Sequence, residues 1–271
     1  MATENGYGTV GNANAGRGSG TRGVVDEEQA LLGQPPAKSN WRSHLTVNVH
    51  RDWADLVLLL CYFVTGLLDS ASIQTWGSFV SMQTGNTVYI GLGLAAPTES
   101  TRWIKSGTSL ISFCVGSFVF SRFHRYFMPS RRWVLCASFV LQMALIIAAA
   151  GILTWGPSSD NELSWNVLVP IGLVAFQSCG QAVVSRALKY NALTSVVLTS
   201  IYCDLFSDAE LFAVNNTERN RRVGAPVLLL LGAFVGGLIV RTDLGAAGIL
   251  WIAAAFKLAV AVTWFFWPAA E

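Results

Sequence analysis

Between residues 54 and 267 the chain runs through eight apolar segments, at about 54–73, 77–96, 104–121, 133–154, 166–185, 191–206, 225–241 and 246–267. A helix needs about 20 apolar residues to cross roughly 30 Å of hydrocarbon. Within that layer every backbone N–H and C=O must find an internal partner, so segments of this kind are candidate membrane helices. Composition agrees. Hydrophobic residues make up 52% of the chain and charged ones 13%, with a mean hydropathy of +0.47, where soluble domains carry about 25% charged residues. The chain is read as an all-α membrane protein whose first partner is the lipid bilayer.

Two of the eight segments are flawed as spans. The second holds a polar run, Ser81-Met82-Gln83-Thr84-Gly85-Asn86-Thr87, and the sixth opens on Tyr190-Asn191-Ala192-Leu193-Thr194-Ser195. An unpaired amide or hydroxyl in hydrocarbon costs roughly 2–7 kcal/mol, so each run must face protein, water or a ligand. Paired broken segments in the two halves of a membrane protein are a pointer to a transporter-type site near the midplane.

Loop charges choose the topology. The 122–132 loop carries Arg122, Arg125, Arg131 and Arg132, the 186–189 link carries Arg186 and Lys189, and the 207–224 loop carries Arg219, Arg221 and Arg222. The 155–164 loop instead holds Asp160 and Glu162. Eight spans (a 4+4 repeat) starting from a cytoplasmic N-terminus would put two of the basic loops outside, against the positive-inside rule. Six transmembrane helices plus two re-entrant or broken segments put every basic loop in the cytoplasm, and this arrangement is preferred. Each half, about 54–154 and 165–267, then crosses three times, which makes the two an inverted 3+3 repeat. An offset of 110 residues sets Thr84-Gly85-Asn86-Thr87 against Thr194-Ser195-Val196-Val197.

Outside the membrane domain, residues 1–40 are rich in Gly, Asn, Ala and Ser, have no apolar signal-peptide core, and read as a disordered tail. Within them Glu27-Glu28-Gln29-Ala30-Leu31-Leu32 has the form of an acidic dileucine address, so the expected home is the plasma membrane or a vacuolar or endosomal membrane. Residues 41–53 mix Trp41 and Trp53 with Arg42, His44, His50 and Arg51, as suits an interfacial lead-in helix. Asn215-Asn216-Thr217 is a glycosylation sequon that the topology above places in the cytoplasm, where it would go unused.

Several classes are set aside. A net charge of +2 gives no reason to expect nucleic acid. The five cysteines show no CxxC spacing and the three histidines form no ligand cluster, so neither metal nor cofactor is expected. No nucleophile, phosphate-loop or zinc-protease motif appears, and amides and hydroxyls orient ligands but rarely supply acid–base chemistry. The chain is not expected to be an enzyme.

The run Thr65-Gly66-Leu67-Leu68-Asp69, then Ser72, then Gly77-Ser78-Phe79-Val80-Ser81-Met82-Gln83-Thr84-Gly85-Asn86-Thr87-Val88, with Gly91-Leu92-Gly93, resembles the YoaK-like family of small membrane proteins, a domain of unknown function. The likeness covers roughly residues 50–267 and looks like that of a fungal-type member. It implies a polytopic membrane protein and supplies no substrate. Bacterial relatives usually repeat the Thr-Gly pair in the second half, where this chain has Thr194-Ser195.

Candidate site residues follow from the polar positions. Thr65, Asp69 and Ser72 share one face of the first span, and intramembrane carboxylates usually line a pathway. Gln83, Thr84, Asn86 and Thr87 lie in the first break, while Gln177, Gln181, Asn191 and Thr194 form a stripe leading into the second. Asp69, Asp204 and Lys257 are candidates for ion or proton coupling, with Lys257 able to pair with either aspartate. These residues suit a transporter or facilitator of a small polar solute. The alternatives are a channel and a non-enzymatic assembly or lipid-binding protein, for which the small residues in the spans would support a homo-oligomer.

Overall fold

The computed structural model describes residues 41–157, 161–190 and 193–270; the 27–32 sorting pattern, Asp160 and Asn191 lie outside the described residues. Helices account for the described elements: α1 (Trp41–Thr46), α2 (Ala54–Trp76), α3 (Gln83–Ala95), α4 (Arg102–Phe127), α5 (Arg132–Trp155), α6 (Trp165–Ala187), α7 (Thr199–Phe206), α8 (Thr217–Ile239) and α9 (Gly245–Phe266). The lead-in differs from a helix over 41–53. Past Thr46 it becomes extended and is wedged between two other strips of backbone: Val49 donates to Ser130 and Arg132 to Val47, while His50 donates to Pro268 and Ala270 to Asn48.

Six helices, α2, α4, α5, α6, α8 and α9, have 22 to 26 residues and are apolar enough to cross a membrane. At about 1.5 Å per residue each reaches beyond 30 Å. The 13 residues of α3 and the 8 of α7 are too few to cross, so the six-span count holds and the eight-span alternative does not.

The charges sort by end. The lead-in, the 130–132 strip and residues 268–270 meet at one end, where Arg51 Nε also donates to the Leu188 carbonyl and Arg221 pairs with Asp55 at 2.8 Å. The arginines of three different loops therefore gather at one end of the bundle. The acidic loop lies at the other, where Glu162 takes the Thr101 hydroxyl and an ion pair from Lys105 at 3.0 Å. Those two donors hold the Glu162 carboxyl below the usual glutamate range.

Packing crosses between the halves. α2 lies along α8, α4 along α6 and α5 along α9, with α5 also against α6, α2 against α9, α3 on α4 and α7 on α8. This set of neighbours maps onto itself when α2, α3, α4 and α5 are exchanged for α6, α7, α8 and α9. The closest approaches match too. A Cβ on Gly232 of α8 would collide with the Phe63 carbonyl of α2, and one on Gly116 of α4 with the Phe176 carbonyl of α6. The middle helices are α2 and α6, each 67% buried over its most apolar stretch, against 28% for α4 and 17% for α8.

Candidate functional site

Six non-helical residues, 77–82, separate α2 from α3, beginning with Gly77 at a left-handed φ of 75°. Both ends of the 77–95 stretch sit beside the start of α4: the Gly77 carbonyl accepts from Arg102 Nε, and Gly93 lies against the Trp103 side chain. The chain enters the bundle as irregular, bent backbone and leaves as a helix at the same end. This is a re-entrant segment.

Non-helical backbone inside an apolar bundle needs partners that a helix would have supplied itself. Here side chains from four helices supply them. From α2, Ser72 Oγ donates to the Ser78 carbonyl at 2.6 Å, and one Asp69 carboxylate oxygen accepts from the Val80 and Ser81 N–H groups at 2.9 and 3.0 Å. The other Asp69 oxygen takes the Ser81 hydroxyl. From α3, Asn86 accepts from the Phe79 N–H and donates to its carbonyl, while Gln83 Nε2 donates to the Val80 carbonyl. Ser109 of α4 donates to the Phe79 carbonyl at 2.7 Å and Ser178 of α6 to the Val80 carbonyl at 2.8 Å. Gly85 lets the Phe79 ring lie on the first turn of α3, where a Cβ would meet it at 2.7 Å.

A second polar cluster crosses the middle of the bundle. Lys257 of α9 is fully buried; its ammonium donates to Gln142 Oε1 of α5 and Gln181 Oε1 of α6, each at 2.7 Å, and lies 5.3 Å from the centre of the Phe139 ring. Gln181 Nε2 in turn donates to Thr65 Oγ1 at 2.5 Å, and Thr65 to the Cys61 carbonyl. The expected pairing of Lys257 with Asp69 or Asp204 is not formed. Asp69 is engaged by the backbone N–H groups of Val80 and Ser81, and Asp204 lies exposed on α7, where its carbonyl accepts from Arg222. Gln177 is fully buried one turn before Gln181, and neither side-chain atom has a partner among the described residues.

The second break follows α6 at the opposite, basic end and returns there through α7 to α8. Thr194 and Ser195 are buried within it, and Ser195 adopts a left-handed φ of 60° with its hydroxyl on the Thr194 carbonyl. The two breaks meet across a cleft of about 160 Å³. Ser81, Gln83 and Thr84 line it from the first and Val196 and Val197 from the second, with α4 and α6 as walls. Arg186, at the rim, also borders a neighbouring cleft of about 380 Å³ with His124 and Arg125 at the basic end.

Of the residues singled out by sequence, Gln83 and Thr84 face this cleft. Asp69, Ser72 and Asn86 stand behind it and hold the re-entrant backbone. Thr65 and Gln181 belong to the Lys257 cluster. Thr87 lies exposed on α3, its hydroxyl on the Gln83 carbonyl. Sequence reasoning passed over Arg102, Ser109, Ser178 and Gln142. The available signal was the same in each case, a polar side chain within or at the mouth of an apolar span. No group of three or more His, Cys, Asp or Glu among the described residues is placed to hold a metal ion.

The family model described as protein of unknown function (DUF1275) matches residues 57–263, the whole of the six-span bundle save its edges. YoaK-like proteins are members of that family, so the sequence resemblance and the match agree. No curated protein and no solved structure matches the chain.

Proposed function

We propose a transport function for this chain, which belongs to the DUF1275 family: it is a carrier or facilitator of a small polar solute. The observation that carries the reading is the cleft lined jointly by Ser81, Gln83 and Thr84 and by Val196 and Val197. These segments enter from opposite ends of the bundle and stop short of crossing it. Discontinuous segments meeting inside a bundle are the usual construction of solute sites in secondary transporters, and irregular backbone is tolerated at that depth where it is packed by protein or lines a cavity.

The two halves are an inverted repeat in this reading, and the neighbour exchange described above supports it. The basic end faces the cytoplasm, as the positive-inside rule requires, and the cleft is reached from that side past Arg186. Alternating access then consists of one half rocking against the other. The Asp69–Ser81 contact ties the cleft wall to α2, so a change in Asp69 protonation would loosen the wall and couple proton movement to opening. Lys257, held by neutral amides, is the second candidate for coupling.

The test is thiol accessibility. Single cysteines replace Thr84 and Val197 in a background without the five native cysteines, in sealed vesicles, and an impermeant reagent is applied from each side. Both positions should react from the basic-end side. If neither reacts while a cysteine at the exposed Phe212 does, the cleft is dry and transport is the wrong function.

A further inference from the structure

At the basic end, apart from the cleft between the breaks, a cavity of about 320 Å³ is walled by Arg51, Lys189, Tyr190, Glu218, Arg221 and Arg222. Three elements converge there: the lead-in before α2, the segment just after α6, and the first turns of α8. Tyr190 organises the wall. Its hydroxyl donates to the Arg51 carbonyl, and the guanidinium carbons of Arg51 and Arg221 lie 5.7 and 5.3 Å from the centre of its ring.

Carboxylates orient the arginines without exhausting their donors. Arg221 gives Nε to Asp55 and Nη1 to Glu218, and Arg222 gives Nη1 to Asp208. Arg51 gives Nε to the Leu188 carbonyl. A guanidinium has five N–H groups, so each keeps some in reserve. Arg222 Nε is buried with no partner among the described residues. Lys189 stands at the mouth, exposed, its ammonium making no bond among the described residues and its backbone turned to a left-handed φ of 64°.

The geometry points to a binding site for a phosphate monoester at the membrane–water boundary, carried either by an anionic lipid headgroup or by a small soluble phosphate compound. Several converging guanidiniums favour a dianion with three terminal oxygens, since each planar fork can take two of them. The volume is that of a small-ligand pocket. The position, where α6 ends and α8 begins, is where basic pockets between membrane helices take lipid headgroups. This site stands independently of the transport reading.

Full-length protein in nanodiscs provides the test, with binding followed by native mass spectrometry. One arm compares phosphatidylcholine alone with phosphatidylcholine containing phosphatidylinositol 4-phosphate; the other adds glycerol 3-phosphate to the phosphatidylcholine discs. Retention of the phosphoinositide assigns a lipid source, and saturable glycerol 3-phosphate binding a soluble one. Lys189→Gln should weaken whichever is bound about tenfold, the worth of one charge-assisted bond. Glu218→Gln removes the wall's own anion and should tighten binding, a change of sign that a folding defect would not produce. Binding to neither probe, or equal binding by both variants and the unmodified protein, overturns the assignment.

Discussion

Asn86 and Phe79 are joined edge to edge: the side-chain amide accepts from the Phe79 N–H at 3.0 Å and donates to the Phe79 carbonyl at 2.7 Å. A carboxamide has the donor and acceptor of a peptide unit. Asn86 therefore pairs with Phe79 as another peptide unit would, and six non-helical residues persist inside a helical bundle because side chains take the place of the missing helical hydrogen bonds.

Removing these replacements should destabilise the fold in proportion to the N–H groups left unpaired. Asn86→Leu strands the Phe79 N–H, at about 1–3 kcal/mol. Asp69→Leu strands two, at Val80 and Ser81, and should cost roughly twice as much. Asp69→Asn keeps one accepting oxygen and should fall between Asp69→Leu and the unmodified protein. Thermal unfolding in detergent ranks the three, and an Asp69→Leu no worse than Asn86→Leu would contradict the account.

The Lys257 cluster makes a different prediction, because its parts are neutral amides gathered about one cation. Lys257→Met leaves the Gln142 and Gln181 oxygens without their donor, at about 1–3 kcal/mol for each. Replacing all three, with Gln142→Leu and Gln181→Leu added, should recover most of the loss, as apolar exchange of whole buried networks often does. Unfolding midpoints of the single and triple variants decide it. A triple variant weaker than the single one would mean that the cluster is needed for folding.

Ser195→Gly should raise stability by about 1–2 kcal/mol, since a left-handed φ burdens any residue with a Cβ by that amount and glycine by almost none. A fall in melting temperature would show that the Ser195 hydroxyl matters more than the backbone.

At the α2–α8 seam, Gly232→Ala forces a methyl onto the Phe63 carbonyl and should cost about 1–3 kcal/mol. Gly91→Ala is the control. Its Cβ would meet nothing within 4 Å, and alanine favours a helix interior by up to about 1 kcal/mol. Equal melting temperatures for the two variants would argue against the close packing.

Span number and the two breaks were legible because they depend on local composition: 13 residues of α3 cannot cross a bilayer whatever surrounds them. The sorting of charge to the two ends was legible for the same reason. The job of Asp69 was not. A buried carboxylate reads alike whether it meets a solute or two backbone N–H groups, and only the folded path of 77–81 tells them apart. Lys257 misled in a similar way, since opposite charge suggests an aspartate while the fold brings two glutamines. The correspondence of helix neighbours between the halves was blurred in the sequence by unequal spacings. An offset of 110 residues matched Thr84 to Thr194, yet Thr84 lies in the first turn of α3 and Thr194 well before α7. The structural matches Gly116 with Gly232, and Phe176 with Phe63, stand at larger and differing spacings.

The exchange of partners between halves also has a consequence in time. Asp69 meets Val80 and Ser81 almost as soon as they are synthesised. The face of α2 that carries Phe63 and Gly66 must wait for the glycines of α8, and residues 77–216 are made in the interval, which takes roughly 7–28 s at about 5–20 residues per second. For that period the first span is in the membrane with its tightest seam open. A nascent chain stalled before α8 would expose Gly66 and Phe63 to lipid or to the insertion machinery, and quality control could recognise it by that face.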